Sequence, residues 1–414
     1  MARLVSVSLT SLAALCGNDV RPASRAKEKH SLLHPRQAIA LFLFLLALSL
    51  SAHAQTLAER LGARSGREIY LAGCVACHGS NGNGAPESET VFDRPDTFPH
   101  FSQCDETTPE STRDWTAIVR NGGRARGFSQ VMPAFKGVLS PPEINKVVAY
   151  LRSLCSEPDW PRGELNVPRA LVTEKAFPES ETVLTTTFAA QGPAAVTNEL
   201  DYERTLGKRD QLEVAVPFGW LRQDNGATAT GLGDVAIGIK HVFLADYRAP
   251  GAASFDGLGS ILSVQAEVTL PTGDARKGLG TGETGAGLFL AYDVLLPAQS
   301  FIQIQTGADL PFSTRNGPRS AYFRAALGRS FNAPQFGRMW SPMVEVVGNR
   351  DLTSGAMTDW DLVPAIQVTL NRRQHVRLGL GYSLPVNDKA GRPRQVLAYW
   401  LWDWFDGGLL EGWR

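Results

Sequence analysis

The chain has 414 residues, more than one average domain needs, and two domains are the natural expectation. Lys plus Arg and Asp plus Glu number 41 each, so there is no basic excess to attract nucleic acid, which is not an expected partner. Hydrophobic content is an ordinary 43%, and 40 glycines, mostly in the second half, point to many turns.

In chain order, the first feature is "HPRQAIALFLFLLALSLSAHAQ". Arg36 precedes an apolar run from Ala38 to Leu50, and Ala52-His53-Ala54 follows as a small-residue exit. A charged start, an apolar middle and an A-x-A end make a secretory signal. The apolar run is ~13 residues, short of the ~20 a spanning helix needs. Residues 1–54 are therefore read as a cleaved signal region, with the mature chain beginning at Gln55. The stretch ahead of it fits poorly and suggests a mis-assigned start. The alternative is a second weak signal ending at "LAALC", where Leu15 spoils a lipoprotein box at Cys16.

Residues 55–155 read as helices. "LAERLGARSGREIYLAGCVACH" sets Leu57, Leu61, Ile69 and Leu71 on a broken apolar stripe. "STRDWTAIVRNGG" is a short helix with Ser111 as N-cap, Trp115, Ile118 and Val119 as its buried face, and Gly122-Gly123 as its stop. "SPPEINKVVAYLRSLC" carries a capping box in Ser140 and Glu143, Pro141 at the first helical position, and Ile144, Val147, Val148 and Leu151 at helical spacing. Residues 156–180, rich in Pro and charge and without a period, read as a linker.

From Glu181 the period becomes two. Val214, Val216, Phe218 and Trp220 alternate with Glu213, Ala215, Pro217 and Gly219, and Val235, Ile237 and Ile239 with Asp234, Ala236, Gly238 and Lys240. A second face that is small or charged does not suit a sandwich core. About twelve such segments have the ~9–11 residues of a tilted membrane strand. They begin near Glu181, Ala195, Asp210, Leu232, Gly259, Gly282, Ser300, Arg319, Met339, Asp359, Gln374 and Arg394. Links after odd strands are long and polar, such as "PTGDARKGLGTG", and those after even strands mostly tight, such as "LGKR", "LPAQ" and "NRRQ"; "ADYRAPGAASFDGLG" is the exception. This asymmetry fits an outer-membrane barrel over 181–405, with both barrel ends on the short-turn, periplasmic rim. The last strand sends Val396, Ala398, Trp400, Trp402 and Trp404 outward as an aromatic girdle, and 406–414 remain as a C-terminal tail. A soluble sandwich or lipocalin-like barrel is the alternative.

The chemistry lies in "CVACHGSNGNG". In C-x-x-C-H, two cysteines reach the vinyl groups of a haem and the next residue reaches its iron. Zinc would need a second half-site, and His100 stands alone; a redox dithiol would want a βαβ context. With Cys74 and Cys77 on haem, Cys104 and Cys155 remain, and in an oxidising compartment a disulfide is the economical reading, against two unrelated buried thiols. "GFSQVMPAFKG" offers Met132 as second axial ligand on a loop that Pro133 stiffens; an ordinary core methionine or His100 are the alternatives, and Met343 and Met357 lie in the β half. "NGGRARGFS" puts Arg124 and Arg126 where they could meet haem propionates or simply solvent.

Residues 66–154 resemble a single-haem class I cytochrome c domain, through "GREIYLAGCVACHGSNGNGAP" and "MPAFKGVLSPPEINKVVAYLRSL". The resemblance implies one covalent haem c anchored by Cys74 and Cys77, His78 as proximal and Met132 as distal ligand, and a closing helix packed through Tyr150 and Leu151 on Ile69 and Tyr70. The β half resembles outer-membrane barrels in pattern alone. The expected fold is multidomain, an N-terminal all-α cytochrome c domain followed by an all-β antiparallel barrel of about twelve strands. The expected function is electron carriage, not catalysis, with redox partner proteins in the periplasm and an outer-membrane tether. A small-substrate channel with an accessory haem domain, and a haem enzyme or gas sensor with an open iron site, are the alternatives.

Overall fold

The computed structural model of the chain describes residues 65–413 except 91, 96, 192–193, 223–225, 249–256, 316, 333–337 and 388–391. The signal region, and Leu57 and Leu61 of the first apolar stripe, lie outside the described residues.

The helical part contains α1 (Gly66–Gly73), α2 (Val75–His78), α3 (Cys104–Thr107), α4 (Thr112–Asn121) and α5 (Pro141–Arg152). Each longer helix starts on a cap written in the sequence. Ser65 and Glu68 form a capping box on α1, the Ser111 side chain accepts from Asp114 N on α4, and Ser140 and Glu143 form a capping box on α5. Helices α1 and α5 cross with Tyr70 against Tyr150, ring centroids 5.2 Å apart, over a core that includes Ile69, Trp115, Val119, Val148 and Leu151. The crossing is close. A Cβ on Gly66 would stand 2.0 Å from the Lys146 carbonyl oxygen. A disulfide joins Cys104 to Cys155, with Cα atoms 5.2 Å apart.

Twelve staves form the barrel: β1 (Glu181–Ala189), β2 (Ala195–Thr205), β3 (Asp210–Arg222), β4 (Val235–Arg248), β5 (Leu258–Leu270), β6 (Gly285–Leu296), β7 (Ser300–Pro311), β8 (Ser320–Arg329), β9 (Met339–Asp351), β10 (Asp359–Thr369), β11 (Val376–Pro385) and β12 (Gln395–Asp403). Neighbours pair antiparallel in chain order, and β1 pairs β12 from Glu181↔Asp403 to Ala189↔Gln395, which closes the wall. Two short strands, Thr228–Leu232 on β3 and Phe331–Asn332 on β9, lie off the staves. The fourth stave therefore starts at Val235 rather than Leu232, because Gly233 and Asp234 break the run to serve loop contacts. The twelfth ends at Asp403. Trp404–Asp406 is a 3-10 turn, although Trp404 still stacks on outward Tyr202 at 5.9 Å.

The alternation is inside-out relative to a soluble protein. Outward positions such as Leu184, Ile239, Leu288, Leu327, Leu380 and Trp400 are exposed, whereas inward Gln211, Lys240, Gln303, Glu345 and Gln367 are buried. Turns 206–209, 297–299 and 370–375 share one rim with both barrel ends, and the opposite rim carries loops 271–284 and 352–358.

Residues 156–180 do not form a free linker. The segment enters the lumen from the short-turn rim, reaches mid-wall at 171–174 and returns to β1. It has no period because its hydrogen bonds go to wall side chains. Leu171 N and Thr173 N donate to Glu345 at 2.8 Å, Ala176 N to Asp293 at 2.8 Å, and Glu179 N to Gln211 at 2.7 Å. Arg169, 6% exposed, donates to Glu181 and Glu203, while Leu165, Ala176 and Phe177 pack on inward Val242, Ile261 and Phe289. The segment is a plug.

The helical domain sits on the same rim. Arg113 reaches Gln299 at 2.5 Å, Arg209 Nε donates to the Asp159 carbonyl at 3.1 Å, and Arg373 Nε to the Gly127 carbonyl at 3.2 Å. The tail is part of this junction, since Arg372 N donates to the Gly412 carbonyl at 2.8 Å.

Candidate functional site

The end of α1 runs into Cys74, and α2 carries Val75 to His78 in a single turn. Gly79 stops it at φ +71, and the Tyr70 hydroxyl donates to the Gly79 carbonyl at 2.5 Å, fixing the chain just past the motif. Cys74, Cys77 and His78 thereby open onto one cavity of about 610 Å³. Cys74 and Cys77 are free thiols, and burial, reinforced by Cys77, pushes Cys74 up to about 11.

The His78 ring lies against Phe98 at 5.1 Å and Phe101 at 5.2 Å. Burial lowers it to about 4, so it is a neutral imidazole with a lone pair available, and its Nδ1 is buried without a hydrogen-bond partner. A purely structural histidine rarely leaves a buried nitrogen unpaired.

Met132 lines the same cavity. Its loop is pinned by Gly123 N donating to the Met132 carbonyl at 3.1 Å, and it needs the two glycines. Gly122 has φ +79, and a Cβ on Gly123 would meet the Ser129 carbonyl oxygen at 2.3 Å. His100 also lines the cavity, but its Nδ1 sits 3.0 Å from Glu106. Met343 is in the barrel lumen and Met357 is exposed.

The charged residues gather at one end. Arg126 pairs with Asp114 at 2.8 Å and keeps a buried Nε with no partner, while Arg124 is exposed on the 3-10 turn and does not line the cavity. Burial raises Asp114, but Arg126 and Arg113 outweigh it and hold the carboxyl below its usual range. Burial, with Glu110 close by, holds Asp406 well above that range. Sequence reasoning missed what the barrel contributes here. Arg373, Phe405, Asp406, Gly407 and Glu411 all line the cavity. The single available signal was the basic turn "NRRQ", which resembles any polar turn.

The chemistry fits haem. Apolar walls from Tyr70, Trp115, Ile118, Phe135 and Leu151 suit a macrocycle, two thiols and an imidazole stand in the attachment order, a thioether shares the space, and guanidinium groups gather at one end.

Residues 62–151 match the family described as cytochrome C oxidase, cbb3-type, subunit III, and residues 179–339 that described as putative MetA-pathway of phenol degradation. No curated protein sequence matches the chain. Among solved structures, the outer membrane channel of Pseudomonas putida F1 is 16% identical, with 57% of this chain and 99% of that one covered at a TM-score of 0.37. The beta domain of the Bordetella autotransporter Brka is 13% identical, with 54% and 96% covered at 0.30. Over residues 62–151 the chain thus matches a cytochrome c family model, which implies haem c, and the β half closes into a twelve-strand antiparallel barrel by its own pairing.

Proposed function

We propose that a cytochrome c domain seated on a closed, plugged barrel makes this protein a tethered electron carrier. Cys74 and Cys77 hold one haem, His78 and Met132 bind its iron, and the barrel fixes the domain at the periplasmic face of the outer membrane. The observation that carries the reading is the single cavity into which the C-x-x-C-H turn and Met132 both open.

When bound, the haem supplies one-electron exchange at its iron. The chain's own residues do the rest. Phe98 and Phe101 orient the imidazole, burial keeps it unprotonated, and the Gly123–Met132 hydrogen bond sets the sulfur's loop. Trp115, Phe135 and Leu151 exclude water, and with the Met132 thioether as a ligand beside His78 the potential would be higher than with two nitrogen ligands.

The outer-membrane location is supported by the belt of exposed Leu, Ile, Phe and Trp around the staves, too continuous for a surface in water. One haem cannot carry current across ~30 Å of hydrocarbon unaided, so periplasmic redox proteins are the partners the reading requires. A small-substrate channel would have to move the plug, so liposome swelling is expected to be negligible for the intact protein.

The test is a haem-stained gel of the outer-membrane fraction, boiled and unboiled. A stained band whose mobility shifts on boiling is expected. A stained band confined to the soluble periplasm would remove the membrane barrel, and no stain would remove the haem. Carbon monoxide binding to the native reduced protein would favour an open iron site over Met132.

A further inference from the structure

The haem cavity is amphiphilic, and its charged end belongs partly to the barrel. Arg126 and Arg373 are the two Lys or Arg side chains that line it among the described residues. Arg126 comes from the helical domain and is occupied by Asp114. Arg373 comes from the turn between β10 and β11. Its side chain is 9% exposed, yet it is held from several sides. Nε donates to the Gly127 carbonyl at 3.2 Å, the guanidinium lies 4.8 Å from the Phe128 ring centroid, Nη1 donates to the Asp406 carbonyl at 3.1 Å, and Nη1 also pairs with Glu411. Gly127 and Phe128 lie just upstream of the Met132 loop, and Asp406 and Glu411 belong to the C-terminal tail. One cation therefore ties helical domain, barrel turn and tail together at the cavity wall.

A haem is an apolar disc with two carboxylates on one edge. Burying those carboxylates requires cationic partners, and Arg373 keeps Nη2 for one, its Nε and Nη1 being taken up by Gly127, Asp406 and Glu411. We propose that the barrel completes the haem site, with Arg373 binding a haem propionate beside Arg126, so that the cofactor is clamped between the cytochrome domain and the barrel rim. The inference rests on the haem reading above and adds a ligand from outside the cytochrome domain.

The consequence is electrical. Reduction adds an electron, a nearby cation stabilises the reduced form, and an unpaired propionate or carboxylate does the opposite. The full-length protein is titrated spectroelectrochemically in detergent, with Arg373→Gln, Arg373→Lys, Glu411→Gln and Arg209→Gln compared to the parent. Arg373→Gln is expected to raise the oxidised-to-reduced ratio at fixed solution potential roughly tenfold, about 59 mV for one electron. Arg373→Lys should restore most of it. Glu411→Gln, which leaves the guanidinium and removes its carboxylate, should move the ratio the opposite way. Arg209→Gln, which loosens the rim contact at Asp159 outside the cavity, should leave it unchanged.

An Arg373→Gln potential equal to the parent's overturns the proposal. So does an equal shift from Arg209→Gln, which would make Arg373 only a docking contact, or a Glu411→Gln shift in the same direction as Arg373→Gln, which would mean a loosened tail. Should Arg373→Gln fail to fold, Glu411→Gln still decides, since an unchanged ratio there overturns the proposal. A parent protein without haem stain would instead remove the underlying haem reading, an outcome the gel separates from these.

Discussion

Glu164, in the plug segment, is tied to the helical domain through Thr112, whose N donates to it at 3.0 Å, and pairs with Arg162 of its own segment at 3.2 Å. Burial opposes its ionisation, but Arg152, Arg162 and the Thr112 hydroxyl outweigh that and hold the carboxyl below its usual range. A depressed folded-state pKa stabilises the fold above the unfolded carboxylate value of ~4.3, and the contribution is lost as pH falls through the folded value. Glu164→Gln should therefore cost about 1–3 kcal/mol at neutral pH, and the difference should vanish in strong acid. Unfolding of the helical domain followed by haem absorbance against pH checks this; a pH-independent difference would mean that packing, not charge, is at stake. At Met132, substitution by Ala should leave covalent haem in place and let the reduced protein bind carbon monoxide. If that variant excludes carbon monoxide as the parent does, the sulfur is not on the iron. As local motifs, the Cys74–His78 turn and the Met132 loop were visible in the sequence, and the fold brings them to one cavity. Arg373 was not visible. It meets Gly127 across 246 residues, and nothing in "NRRQ" says what the turn will face.

Among the elements, the helix caps and barrel staves were the most readable, because both follow from strictly local rules. The Ser140–Glu143 box stands where the spacing requires it, with Ser140 N donating to Glu143 at 2.8 Å. Ser140→Ala should cost ~1 kcal/mol in a denaturation series. Gly66→Ala should cost more, roughly 1–3 kcal/mol, because a methyl group would be driven into the Lys146 backbone carbonyl rather than into a flexible side chain. Equal stabilities for Gly66→Ala and the parent would show that α1 and α5 can slide apart freely. Stave starts fell on or close to the expected residues, since alternation resolves which face is which; the largest offsets, Val235 and Gly285, come where glycine-containing loops blur the boundary. Residues 156–180 defeated the same rules. A segment whose backbone bonds to Glu345, Gln305, Asp293 and Gln211 leaves no periodicity of its own, so a plug and a linker look alike in one dimension.

For the whole molecule, barrel, plug and cytochrome domain meet on one rim, and their order in the chain matters. The plug begins where the helical domain ends and finishes at Glu181, the first residue of β1. In planar bilayers the intact protein should show little or no steady conductance, while replacing residues 165–180 with a Gly/Ser segment of equal length should open a stable pore. If the parent conducts as well as the variant, the lumen is open by another route. Because the plug enters and leaves by the same rim, it can be drawn out without unpairing any strand of the closed wall. A pull on the cytochrome domain is transmitted along the backbone to Arg169 and its carboxylate partners, so they should yield before any stave does. The helical domain is thus also a handle on the lumen, since a force on it would reach the plug before it reached the wall.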